Sequence, residues 1–121
     1  MAKRLTSIFT EDMDTCFFTG TNYWVQRHHI FSATTNMRKL SEEYGLILPV
    51  TQPLHTNTKY GIHCNAALRR AIKQFAQRRF EKEHTREEFV LLFGRNYLMD
   101  ESDGYEINIH DYGVPVFGEA C

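Results

Sequence analysis

Four of the chain's six histidines, His28, His29, His55 and His63, fall within one 36-residue stretch. A neutral imidazole can ligate a divalent ion or accept a proton near neutral pH, so such a cluster points to metal-assisted hydrolysis. The adjacent pair His28–His29 carries most of the signal. On an extended strand, neighbouring side chains point to opposite faces. Where a strand ends or twists, one ring can bind a metal while the other reaches a substrate-bound water. That division supplies a Lewis acid and a general base together. The plain structural alternative buries one ring and merely exposes the other. His55 and His63 lie eight positions apart, which is not the i, i+4 spacing of a helical ligand pair. Gly61 between them makes a flexible span that can bring both rings to one ion. His84 and His110 are expected at the surface.

The elements that must position these residues are partly readable. Cys16–Val25 reads as two short strands around a turn at Thr19-Gly20-Thr21-Asn22, since aromatic and β-branched residues flank that tetrapeptide. The second strand would run towards Phe31 and deliver His28 and His29 near its end. Asn36–Tyr44 predicts a short helix stopped by Gly45. The apolar run Leu46–Val50 is too short for a helix, and Pro49 and Pro53 favour an extended or edge conformation. A loop carrying His55, Asn57, Gly61 and His63 should follow. From about Asn65 to Glu83, Leu68, Ala71, Ile72, Phe75, Ala76 and Phe80 share one helical face, with Arg69, Arg70, Lys73, Gln77 and Arg78 on the others. Thr85 and Glu88 form a capping-box pattern that opens a further helix through Phe89, Leu92 and Phe93 to Gly94. Alternation at Tyr105, Ile107 and Ile109 suggests a weak strand. The phenylalanines at 75, 80, 89 and 93 follow helical periodicity and read as core, not as a base-stacking platform.

The run Gln26-Arg27-His28-His29-Ile30-Phe31 resembles the first half of an HNH endonuclease motif. Further pieces resemble one branch of that superfamily, the small phage- and prophage-type HNH-like proteins. They are Ser41–Leu46, Leu54-His55, Gly61–Asn65, Gln77–Glu81 and Phe93–Leu98, so the likeness covers roughly Cys16 to Leu98. The resemblance implies an α+β domain with a ββα-metal hairpin-plus-helix core, an additional C-terminal helix and an acidic tail. It makes His28, His55 and His63 the metal ligands and His29 the general base. Asn57 and Asn65 both stand as supporting amides of the catalytic set. Arg27, Lys59, Arg69, Arg70 and Lys73 become nucleic-acid contacts that set position rather than sequence preference. The expected cofactor is one divalent ion, zinc, magnesium or manganese; three imidazole nitrogens favour a first-row ion. The expected reaction is phosphodiester hydrolysis in nucleic acid, with DNA as the partner and a phage or host recombination protein as a second one. Neutral rings are required, so activity should fail well below a pH of about 6.5. Two features depart from the family pattern. Cys16 has Thr19 where a zinc-knuckle partner would fall, so Phe17, Phe18, Tyr23 and Trp24 would replace the knuckle as packing. His55 stands in Pro-Leu-His, where relatives show a doubled histidine or a cysteine-containing run.

Composition sets the outer limits. The chain has 121 residues, enough for one domain with a modest core. The boundaries read as a nuclease-like domain over 1–98 and an acidic extension over 99–121, packed on it or trailing from it. No apolar run approaches the roughly 20 residues needed to cross a bilayer. No long apolar block follows the basic start, so a cytoplasmic location is expected, that of the host cell if the chain is phage-encoded. Three cysteines without a Cys-x-x-Cys read as reduced thiols, and Cys64 as a small buried one. The net charge of −1 hides a division: the chain through Arg95 carries +5, and the stretch from Met99 onward carries −6 without one Lys or Arg. A basic body suits a phosphate-rich partner. Two rival readings follow: a non-catalytic nucleic-acid-binding module with structural histidines, and an interaction protein acting through its acidic tail.

Overall fold

The computed structural model describes residues 6–115. It is a small α+β domain with one two-stranded antiparallel sheet and several helices. Strand β1, Val25–His29, pairs with β2, Ile47–Thr51, in a register that sets His28 opposite Leu48 and His29 opposite Ile47. The expected hairpin within Cys16–Val25 does not form. Cys16–Thr21 closes instead as a compact turn, in which Cys16 N–H donates to Thr21 O and Gly20 N–H to Cys16 O. The partner of β1 is the 46–50 apolar run, whose residues bury completely and supply more apolar surface than the 16–22 segment can. Pro49 sits opposite Arg27, and its carbonyl accepts from Phe17 N–H at 2.8 Å. A strand residue turns both backbone groups to the same side, so the missing N–H of Pro49 lies on the edge away from β1 and costs no ladder bond.

Helix α1, Thr35–Glu43, forms the connection between the strands. Thr34 caps it by accepting from Met37 N–H, and Gly45 at φ +69° ends it. Buried Ser41 ties it to the end of β1, accepting from Phe31 N–H and donating to Phe31 O. Helix α2, Gln52–Thr56, replaces the first part of the expected loop; Pro53 stands in its first turn, where an absent N–H is no loss. A 3-10 turn follows over Ile62–Cys64. Helix α3, Ala66–Phe80, is capped by Asn65 and buries Leu68, Ala71, Ile72, Ala76 and Phe80, as the periodicity requires. Phe75 is half-buried between Phe9 and Phe17, and Gln77, expected on a solvated face, is fully buried. Helix α4, Arg86–Phe93, carries the expected capping box and ends on Gly94 at φ +87°. Its Phe89 and Phe93 pack with Phe31 and Phe80 at ring separations of 4.6 to 6.1 Å.

Beyond Met99 the chain folds back over α3. Arg78 organises the return by donating to the carbonyls of Asp100, Glu101 and Asp103 while its guanidinium lies over the Tyr105 ring. Gly104, at φ +84°, passes so close that a Cβ there would lie 2.5 Å from Gln74 O. The weak strand suggested at 105–109 is absent; a 3-10 turn over Ile109–Tyr112 takes its place, and Ile109 and Val114 join the core. The acidic stretch is thus packed on the domain through Pro115, and its last acid, Glu119, lies outside the described residues. Among the described residues, no helix is long and apolar enough to cross a membrane.

Candidate metal centre

His28 enters the core from β1 and is 2% exposed, yet neither of its ring nitrogens has a hydrogen-bond partner among the described residues. His55 approaches from α2 and His63 from the 3-10 turn over Ile62–Cys64. One nitrogen from each of the three rings lies within 4.8 Å of the other two. The Nε2 atoms of His55 and His63 are 2.7 Å apart, the separation of a hydrogen bond in which the two rings share one proton. The His28 ring stands edge-on to both others, at 5.2 and 5.4 Å between centroids.

Local structure explains the convergence. Gln52 N–H donates to Trp24 O, so α2 turns back across the start of β1. Gln26, two residues before His28 and on the same strand face, accepts from His55 Nδ1–H at 2.8 Å. That bond sets the tautomer of His55 and leaves Nε2 with its lone pair, the atom that could ligate an ion. The loop to His63 closes tightly: a Cβ on Gly61 would fall 2.4 Å from Asn57 N, so only glycine fits. Asn57 Oδ1 accepts from Lys59 and Tyr60 N–H. Asn65 caps α3 and donates to Tyr60 O and Tyr112 O. Both amides thus brace the backbone that carries His55 and His63. Arg69 donates to His63 O at 3.0 Å and belongs to the same brace.

Burial is the first cause of the low basicity here. It pushes His28 down to about 3, helped by the neighbouring charges of His55, His63, His29 and Lys73. His55 is lowered to about 4 by burial, then by His63 and His29. Both rings are neutral at pH 7, the form that binds a metal. A cation held by the three imidazoles would satisfy one orphaned nitrogen of His28, so the donor set fits a divalent first-row ion.

His29 lies on the opposite strand face, towards α1, where its Nε2–H donates to Glu42 Oε1 at 2.9 Å. Arg27 shares that face and pairs with Asp14 at 3.7 Å. Lys59 and Arg70 are exposed. Lys73 is half-buried, with Nζ 5.5 Å from the centre of the Tyr97 ring, and Arg95 lies over the same ring at 5.0 Å. Burial lowers the pKa of Lys73, with Arg69 and Arg95 adding to the effect. Among the described residues, Arg69, Arg70, Lys73 and Arg95 have no carboxylate within ion-pair distance.

Comparison with protein-family models, with curated proteins and with solved structures finds no match.

The geometry adds residues that sequence reasoning missed. Gln26 had a usable signal, being two positions from His28 and therefore on its face. Glu42 and Arg95 had none, because helix packing alone brings them in. Cys64, expected buried, is exposed, whereas Cys16 is buried. Phe17 and Phe18 pack as expected, but Tyr23 and Trp24 do not; their side chains are exposed. His84 is half-buried, its ring stacked 4.3 Å from that of Phe80, and His110 is exposed.

Proposed function

We propose that this protein is a metal-dependent nuclease that hydrolyses phosphodiester bonds, with a ββα-metal core built from β1, β2 and α3. The reading rests on one observation: three imidazoles from three separate elements meet, and the most buried of them has no hydrogen-bond partner among the described residues. His28, His55 and His63 would hold the ion. Bound there, a divalent ion supplies Lewis-acid stabilisation of charge on the scissile phosphate. Glu42 accepts from His29 Nε2–H, which leaves His29 Nδ1 as the basic nitrogen for a proton from the attacking water. Arg70, Lys73 and Arg95 offer the phosphate chain its positive surface, a contribution that weakens steeply with salt. DNA is the expected substrate.

The Glu42 bond also favours a second reading, in which His29 is a structural pin between β1 and α1 and the protein binds nucleic acid without cutting it. One experiment separates them. The protein, His63→Ala and His29→Ala are each supplied with zinc, manganese or magnesium and mixed with end-labelled DNA. His63 is exposed, so its loss should spare the fold while weakening metal binding and cleavage together. His29→Ala should keep the metal and lose at least about a hundredfold in rate, the usual contribution of a positioned base. Undiminished cleavage by a contaminant-free His29→Ala preparation removes His29 as base. No cleavage by the parent protein under any of the three ions leaves the binding module.

A further inference from the structure

Trp24 is the only tryptophan in the chain, and its side chain is 75% exposed immediately before the strand that carries His28. Tyr23 beside it is 74% exposed. Neither sits on a loose backbone. Trp24 adopts φ +50°, a conformation bulky residues rarely take, and its carbonyl accepts from Gln52 N–H. The Tyr23 carbonyl accepts from Thr51 Oγ1 at 2.9 Å. Among the described residues, neither ring meets another aromatic ring or a cation. The fold therefore anchors the backbone beneath two large aromatic side chains that face water.

The indole borders a shallow cleft lined by Trp24, Val25, Gln26 and Gln52. Gln26 is also the residue that holds His55 at 2.8 Å, so a single side chain joins this cleft to the metal centre. No lining residue is charged, which makes the cleft a poor seat for phosphate. The cations gather elsewhere, around Tyr97, and reach the centre through His28 and His63 instead. A nucleotide chain has the matching division, anionic backbone and neutral aromatic base.

We propose that Trp24, with Tyr23, is a stacking platform for an unpaired nucleobase of the strand whose phosphate lies at the histidine centre. The proposal rests on the nuclease reading and narrows its substrate to single-stranded or locally opened nucleic acid, because a base paired within a duplex cannot offer its face.

Because the chain has one tryptophan, indole emission reports this site directly. His63→Ala, which should leave DNA intact, is titrated with a labelled 12-nucleotide strand and with the same strand in duplex, following emission and label anisotropy together. Saturable quenching by the single strand, with at least fivefold weaker binding of the duplex, is the expected result. Trp24→Phe should retain most of the affinity, and Trp24→Asn, whose side chain tolerates the left-handed backbone, should lose about tenfold. Binding seen by anisotropy without an emission change, or an Asn variant that binds like its parent, overturns the stacking platform and leaves the nuclease reading standing. No binding of either DNA form, by this variant or by zinc-loaded His29→Ala, overturns both. A blue shift that grows with protein concentration and without DNA also overturns the platform, assigning the face to a second copy of the chain.

Discussion

The two largest buried polar side chains among the described residues, Gln77 and His28, are treated differently by the fold. Gln77, between α3 and the segment after α4, is fully buried and fully used. Its Nε2 donates to Glu81 and Asn96, and its Oε1 accepts from Tyr97 N–H. His28, on β1, is nearly as inaccessible, and neither of its nitrogens has a hydrogen-bond partner among the described residues. A buried polar atom without a partner costs about 1–3 kcal/mol, and folded proteins leave few of them. The same sequence that satisfies every polar atom of Gln77 pays this cost at His28, where two further imidazoles stand within reach. The contrast separates a polar group that the fold satisfies from one that it leaves open to the ion proposed for this site.

The contrast predicts its own largest effect at the satisfied site. Gln77→Leu should destabilise the protein by roughly 3 kcal/mol, because it strands Tyr97 N–H and removes the hydrogen bond to the Glu81 carboxylate. Denaturant midpoints measure this directly. A loss below about 1 kcal/mol would mean that water readily replaces Gln77, and burial with full satisfaction would cease to mark a structural role. Slightly smaller is the gain expected at the unsatisfied site. A zinc or manganese concentration a hundred times its Kd should stabilise the protein by about 2.7 kcal/mol, through binding to the folded form alone. Equal melting temperatures with and without each ion would count against a metal centre.

How far these two sites can be read from sequence follows from the range of the interactions that build them. Helix α3 and the capping box of α4 are legible because periodicity and caps act within a few residues. The histidine cluster is legible as a set of types within a short stretch, but its spacing carries no ligand pattern, and it is the family resemblance that selects His28, His55 and His63 from it. The partner of β1 is not, because pairing with Ile47–Thr51 spans an intervening helix and competes with a plausible local turn at Thr19–Asn22. Gln77 looks like any solvated helix residue until the 96–98 segment closes over it. Glu42 reaches His29 across 13 positions, through the packing of α1 on the strand. Contacts made between elements leave no local pattern, and both halves of the buried-polar contrast depend on such contacts.

Acid should widen the difference between the two sites. In the unfolded chain His28 titrates near its ordinary 6.5, whereas burial lowers it to about 3 in the folded protein. Between these values the unfolded form binds the extra proton, so stability is present above pH 6.5 and falls as the pH drops towards 3. His55, lowered to about 4, acts in the same direction but is half-exposed and contributes less. For protein stripped of metal, moving from pH 7 to pH 5 should cost about 2 kcal/mol. Gln77 does not titrate, so Gln77→Leu should show the same pH slope as its parent. A flat stability profile between pH 7 and 5 would mean that His28 is solvated in solution.

The smallest effect is also the most pointed, because its sign is unusual for a core substitution. His28→Leu replaces an imidazole by an apolar side chain of similar volume and removes two unpaired nitrogens from the interior. Replacing a satisfied group destabilises; replacing an unsatisfied one relieves a cost. Metal-free His28→Leu should therefore be about 1 kcal/mol more stable than metal-free parent at pH 7, and it should gain nothing from zinc or manganese. Both readings come from one pair of thermal scans, with and without the ion. If the variant is instead destabilised like Gln77→Leu, the nitrogens of His28 have partners within the fold, and the argument for a ligand at this position loses its basis.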